Sequence, residues 1–331
     1  MYQDNGLSPK YAGRLYLAAL IVPEAASALL AFFWPDILSV ISGNLCLNVL
    51  FSETIFLLLV TLACGFAPGS LRDQLGLNSV RPATLLLCIL LVIVMEPVIQ
   101  LPNIWTSDLF GNAVSDMTSG METGPSWCLF LLMAVYGPLM EELLCRGFIY
   151  RNLRASGHIA GAVIVSALCF GILHGNINQA SYAIVIGIYF AAVCEVTGSI
   201  WPSFFMHFLI NGTSVAALVY EEQTGGSIDA ASESLSDYLP CDEKMLYLVL
   251  GIAAIAAVIL SILIIRGIAR LEAGRNLSAK AVVPREERCA VLTPTMVIAL
   301  LIGILIIVAV TYFTLPQVMD SFRFRSEFLP R

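Results

Sequence analysis

The chain reads as an all-α, polytopic transmembrane helical bundle of about eight or nine membrane helices. Three observations predict this. Of 331 residues, 58% are hydrophobic and only 12% are charged, against about 25% charged in soluble domains. Several apolar runs reach about 20 residues, the length that spans the hydrocarbon as a helix. The basic residues are few and are sorted by loop, as membrane insertion requires.

Nine spans follow in order, near 14–34, 47–67, 83–102, 127–145, 160–174, 178–198, 203–220, 245–266 and 293–314. The first contains Pro23 and Glu24 and has no short signal-type apolar core before it, so it reads as a retained membrane helix. The fifth is short. Spans five, six and seven have short connections and must be close antiparallel neighbours. Organisation follows: N-terminal membrane helices over 1–124, a central unit over 125–220, an acidic extracytoplasmic loop over 221–244, and C-terminal helices with a basic loop over 245–331.

An N-terminus on the cytoplasmic side puts Lys10, Arg14, Arg72, Arg81, Arg146, Arg151, Arg154, Arg266, Arg270, Arg275, Lys280, Arg285 and Arg288 inside, thirteen of seventeen Lys and Arg. The segment 103–126 has acidic residues, Asp116 among them, and no basic one. A tail with Arg323, Arg325 and Arg331 falls outside for nine spans and inside for eight, so both counts stay open. Net charge is −7, which by itself says little about nucleic acid, and no nucleic-acid partner is expected. The nine cysteines include no CxxC pair and no disulfide framework. Short loops and the lack of retention signals point to a bacterial plasma membrane. The partners expected are the lipid bilayer and a substrate, with oligomeric state open.

Chemistry gathers in three short pieces. In YGPLMEELLCRGFIYR, Tyr136–Arg151, two adjacent glutamates follow a Gly-Pro pair that kinks a helix. Glu142 and Arg146 are four apart and share a face, which suits an ion pair. Glu141 is turned about 100° away and faces something else. A solvated helix end would explain the same charges. The second piece, FGILH, sets Phe170 one turn before His174. The third, HFLIN, sets His207 and Asn211 on one face, where an amide also serves as helix–helix glue. Each piece alone suits a structural role. Together they bring two carboxylates, two histidines and an amide into consecutive apolar units. A buried glutamate can act as general base on water, with a histidine holding that water. A second histidine and an asparagine can stabilise an oxyanion. Two histidines and a carboxylate are also the ligand set of some catalytic zinc sites, although no HExxH occurs.

In that order, Glu141-Glu142-x-x-x-Arg146, Phe170-x-x-x-His174 and His207-x-x-x-Asn211 resemble the three motifs of the CPBP family, intramembrane proteases related to the type II CAAX prenyl endopeptidase. The resemblance covers roughly 125–220. It implies a catalytic core of about four helices, a peptide or protein substrate and a metal-independent glutamate mechanism. Glu141 with His174 would activate water, His207 with Asn211 would form the oxyanion hole, and Glu142, Arg146 and Phe170 would support them. No cofactor is implied, and zinc stays an alternative. Two other functions are weighed. A non-proteolytic regulator or bacteriocin self-immunity scaffold would use the same bundle without chemistry. A transporter would use the carboxylates as proton relays, but its usual internal repeat is lacking.

Remaining polar residues are assigned to structure. Glu24, Glu96 and Glu195 are expected to be paired or interfacial, with a cavity-facing Glu96 as the lesser option. His158 is expected in solvent. Gly157, Gly161, Gly171 and Gly175 are expected to permit close helix packing.

Overall fold

Apolar side chains and helix-compatible spacing leave the backbone of this chain one way to satisfy its own hydrogen bonds in lipid, and it takes it. The computed structural model describes residues 7–66, 69–112, 121–224, 243–277 and 279–328. Most of the acidic loop, together with Asp116 and Arg331, lies outside them. The helices are α1 (Pro9–Phe33), α2 (Pro35–Gly43), α3 (Leu45–Gly65), α4 (Leu71–Leu75), α5 (Pro82–Phe110), α6 (Ser126–Arg154), α7 (Ile159–Leu173), α8 (Ile177–Thr197), α9 (Trp201–Thr224), α10 (Glu243–Leu271) and α11 (Pro294–Phe328).

Local chemistry accounts for most of the ends. Ser8 caps α1 by accepting from the Lys10 amide, with Pro9 at the first helical position. Asn44 caps α3 through the Leu47 amide at 3.1 Å. Asn176 caps α8 through the Gln179 amide at 2.8 Å, and Gly198, with φ +67°, ends it. Between α7 and α8 the chain reverses over His174, Gly175 and Asn176, because Gly175 takes a φ of +71°.

All nine expected spans are helices. Eight are long and apolar enough to cross a membrane. The fifth, α7, has 15 residues, a length of about 22 Å against a hydrocarbon core of about 30 Å. The outward faces carry apolar side chains, as with Leu248, Ile252, Ile255 and Ile259 along α10. The chain is an integral multi-pass membrane protein of all-α architecture.

The bundle is assembled by pairing. α10 runs along α5, α8 lies between α7 and α5, and α11 packs on α1 and α7. α9 packs on α6, α5 and α8, and α3 lies against α6 and α1. α7 and α8 approach until a Cβ on Gly187 would sit 2.9 Å from the Ala167 Cα, and one on Gly171 would sit 2.8 Å from the Ala180 carbonyl oxygen. Gly171 therefore serves packing as expected, whereas nothing lies within 4 Å of Gly175, which serves the turn instead. Gly187→Ala should lower the thermal midpoint in detergent, since overpacking against backbone costs about 1–3 kcal/mol. Gly251→Ala is the control, because a Cβ there meets nothing within 4 Å. Equal midpoints for the two variants would refute the close approach.

One expectation needs correction. The stretch 146–154 is not a cytoplasmic loop but the last part of α6, and its arginines are engaged within the bundle. Arg154 pairs with Glu195 of α8, to which Tyr150 also donates at 2.7 Å. Arg151 donates through Nε to the Gln74 carbonyl at 3.0 Å and also to the Asp73 carbonyl. Glu195 is thus a paired carboxylate. Glu96 is exposed on α5 and accepts from Gln100 at 2.6 Å, so it does not face the bundle interior. Glu24 and His158 are exposed.

Candidate active site

α6 departs from regular α-helix on both sides of the glutamates. Backbone bonding widens to i→i+5 over Leu131–Tyr136 and over Leu143–Tyr150, leaving Gly137–Glu142 as an α-helical island. Pro138 has no amide hydrogen and its ring crowds the preceding turn, and a widened turn relieves that crowding. The Gly137 amide donates five residues back, to the Leu132 carbonyl. Glu141 and Glu142 consequently sit near the middle of a 29-residue helix and not at its mouth.

The two carboxylates differ in what holds them. Glu142 is fully buried, and both of its oxygens are taken. Arg146 Nη1 donates to Oε1 at 2.8 Å, and Ser203 of α9 donates to Oε2. Arg146 is itself fully buried, lies 4.1 Å above the Phe170 ring centroid and 5.0 Å from that of Phe190, and reaches the Gly187 carbonyl at 3.4 Å. Its charge is matched by Glu142 and its flat faces by aromatic rings. Glu141 is less enclosed, its side chain 17% exposed, and its Oε2 has no hydrogen-bond partner.

His207 enters between them from α9. Its Nδ1 is 3.5 Å from Glu142 Oε1 and its Nε2 is 3.8 Å from Glu141 Oε2. The first carboxylate is already bonded elsewhere, and the second distance is too long for a direct hydrogen bond. The edge of Phe170 meets both histidine rings, at 5.1 Å for His174 and 5.6 Å for His207. Phe170 thus wedges the two histidines and the arginine into one cluster. His174 closes α7, and its Nδ1 lies 2.9 Å from the Phe170 carbonyl oxygen. A carbonyl only accepts, so Nδ1 carries the hydrogen and Nε2 of the neutral ring presents a lone pair.

The structure therefore gathers Glu141, Glu142, Arg146, Phe170, His174 and His207 in one place. Two contacts complete the description. Among the described residues no hydrogen bond or ion pair joins Glu141 to His174; the histidine beside Glu141 is His207. Asn211 stands one turn beyond His207 but donates to the Met133 carbonyl at 3.1 Å, bracing α9 against the first widened turn of α6. An amide nitrogen has two hydrogens, so one donor is left over.

Ser203 and Glu53 escaped the sequence reading. Ser203 precedes His207 by one turn in SFFMH, a spacing that could have signalled a shared face. Glu53 is a lone carboxylate in the apolar run of α3, only 8% exposed. The rule that picked out Glu24, Glu96 and Glu195 should have picked it out as well. Among the described residues, no group of three or more His, Cys, Asp or Glu is arranged to hold a metal ion.

Fold and site define a class: a multi-pass helical membrane protein with a buried carboxylate–histidine cluster on adjacent helices. Residues 123–213, which contain every site residue expected from the sequence, match the family described as type II CAAX prenyl endopeptidase Rce1-like. The likeness to CAAX-protease-like membrane proteins is that of this segment alone. It is 26% identical over 83 residues to "Putative membrane peptidase YdiL" of Bacillus subtilis (strain 168), an alignment covering 25% of this chain and 34% of that protein. The chain thus spans about a third of the length of the curated relative it matches. No solved structure matches.

Proposed function

We propose that this chain is an intramembrane endopeptidase that hydrolyses a peptide bond of a membrane-associated peptide or protein, with Glu141 as general base. One observation carries the assignment of the base. Of two adjacent carboxylates, Glu142 has both oxygens occupied by Arg146 and Ser203, and Glu141 has one oxygen without a hydrogen-bond partner beside His207. The family match over the same residues supports the reaction class.

In this reading a water lies between Glu141 and the His174 Nε2 lone pair. Glu141 takes one proton as the water oxygen bonds to the substrate carbonyl carbon. The negative charge forms on the carbonyl oxygen, where His207 and the spare Asn211 hydrogen stabilise it. Collapse breaks the C–N bond, and Glu141 passes its proton to the leaving amine, giving a carboxylic acid, which keeps the second water proton, and an amine. The mid-helix position of Glu141 supports cleavage within the bilayer rather than at its face. The bilayer expected is a bacterial plasma membrane, with the N-terminus cytoplasmic.

The test is cleavage by the purified protein in liposomes, with substrates first captured by Glu141→Gln and identified by mass spectrometry. A farnesylated CAAX peptide is a defined first probe. His174→Ala and Asn211→Ala should each lower kcat by about 10²–10³-fold. Full activity in His174→Ala would overturn the mechanism. Activity lost to a chelator and restored by zinc would replace it with a metal-assisted one. A cellular phenotype retained by the alanine variants would favour the non-proteolytic regulator or self-immunity scaffold.

A further inference from the structure

We infer that Glu53 is a positioning residue for Glu141: a neutral carboxyl on α3 that donates a hydrogen bond to the Glu141 carboxylate, directly or through one water. The inference rests on the hydrolytic role proposed for Glu141. It extends the site to a helix outside the matched segment 123–213.

Position comes first. Glu53 faces α6, and its Cγ is 3.9 Å from where a Cβ on Gly137 would stand. Gly137 precedes Glu141 by four residues, so the two share a face of the α-helical island. Next to Glu53, Thr54 bonds the Tyr136 hydroxyl at 2.9 Å and fixes the register of α3 on α6. Oε2 of Glu53 and Oε2 of Glu141 are both buried and both lack a hydrogen-bond partner.

Charge comes second. Arg146 is committed to Glu142, and the ion-pair contact of Glu141 is with His207. Among the described residues no cation pairs with Glu53. An unpaired carboxylate out of water is far costlier than the neutral acid, so Glu53 holds a proton. A buried acid hydroxyl needs an acceptor, and the open acceptor on the adjoining turn is Glu141 Oε2. Glu53 would then leave Glu141 as the single ionised base and set which of its oxygens meets the water.

Two measurements test this. Infrared difference spectra of the purified full-length protein, taken without substrate, should show a protonated-carboxyl band at neutral pH that Glu53→Gln removes. In the cleavage assay Glu53→Gln, which keeps a donor of the same shape, should stay within about threefold of the wild-type kcat, whereas Glu53→Leu should lose about 10–100-fold in kcat with little change in KM. The inference is overturned if Glu53→Gln leaves the spectrum unchanged, if Glu53→Leu turns over like the wild type, or if Glu53→Gln is as poor as Glu53→Leu. If Glu53→Leu fails to fold, the isosteric Glu53→Gln still decides through the spectrum. If the wild type cleaves nothing, the hydrolytic reading fails by itself, and the infrared result still decides the protonation of Glu53.

Discussion

Glu141→Gln is expected to lower kcat for peptide cleavage by about 10²–10⁴-fold, the usual worth of a general base, while leaving the thermal midpoint close to that of the wild type. The exchange is isosteric. The side chain stands at the open edge of the cluster, 17% exposed. Glu142→Gln one residue on should behave in the opposite sense. It keeps the shape but strips Arg146, fully buried, of its counter-charge, so stability falls first and activity follows. Measuring kcat and midpoint on both variants separates a reactive carboxylate from a structural one. If Glu141→Gln turned over normally, or if the two variants lost the same property, the division of labour between the neighbours would be wrong.

Arg146→Met is the second large effect. Removing the guanidinium leaves Glu142 buried beside a single hydroxyl donor, Ser203, and breaking a buried pair from one side costs about 3–5 kcal/mol. Against a total stability of about 5–15 kcal/mol that is a severe loss. Adding Glu142→Gln to Arg146→Met should recover part of it by removing the uncompensated charge. Arg146→Lys should not restore the wild type, because an ammonium cannot lie flat on Phe170 and Phe190 while reaching both Glu142 and the Gly187 carbonyl. Thermal unfolding in detergent reads all three. A wild-type midpoint for Arg146→Met would show that the pair carries no stability.

Much of this was legible from local pattern. Apolar run length marks the nine helices, and four-residue spacing marks the Glu142–Arg146 pair that forms. Where the reading failed, the cause was a partner far away in sequence. Arg146, Arg151 and Arg154 looked like loop residues because charge in a membrane segment is costly. In the fold that cost is offset by Glu142, by Glu195 and by backbone carbonyls between α3 and α5. Glu53 went unnoticed since no motif surrounds it, and its neighbour Gly137 is on another helix. Gly171 and Gly175 looked alike as small residues. One faces a crossing helix and the other turns the chain.

By itself the sequence determined the class of protein, the set of side chains that meet, and which pair on a single helix would bond, since these follow from hydropathy and from spacing along one helix. Tertiary structure alone decided which histidine stands beside Glu141, that Ser203 occupies the second oxygen of Glu142, and that Glu53 adjoins the site. The reason lies in helix rotation. Each residue turns the face by about 100°, and the widened turns on either side of Gly137–Glu142 reset that count. What Glu141 faces is therefore settled by how α3, α7 and α9 pack against α6.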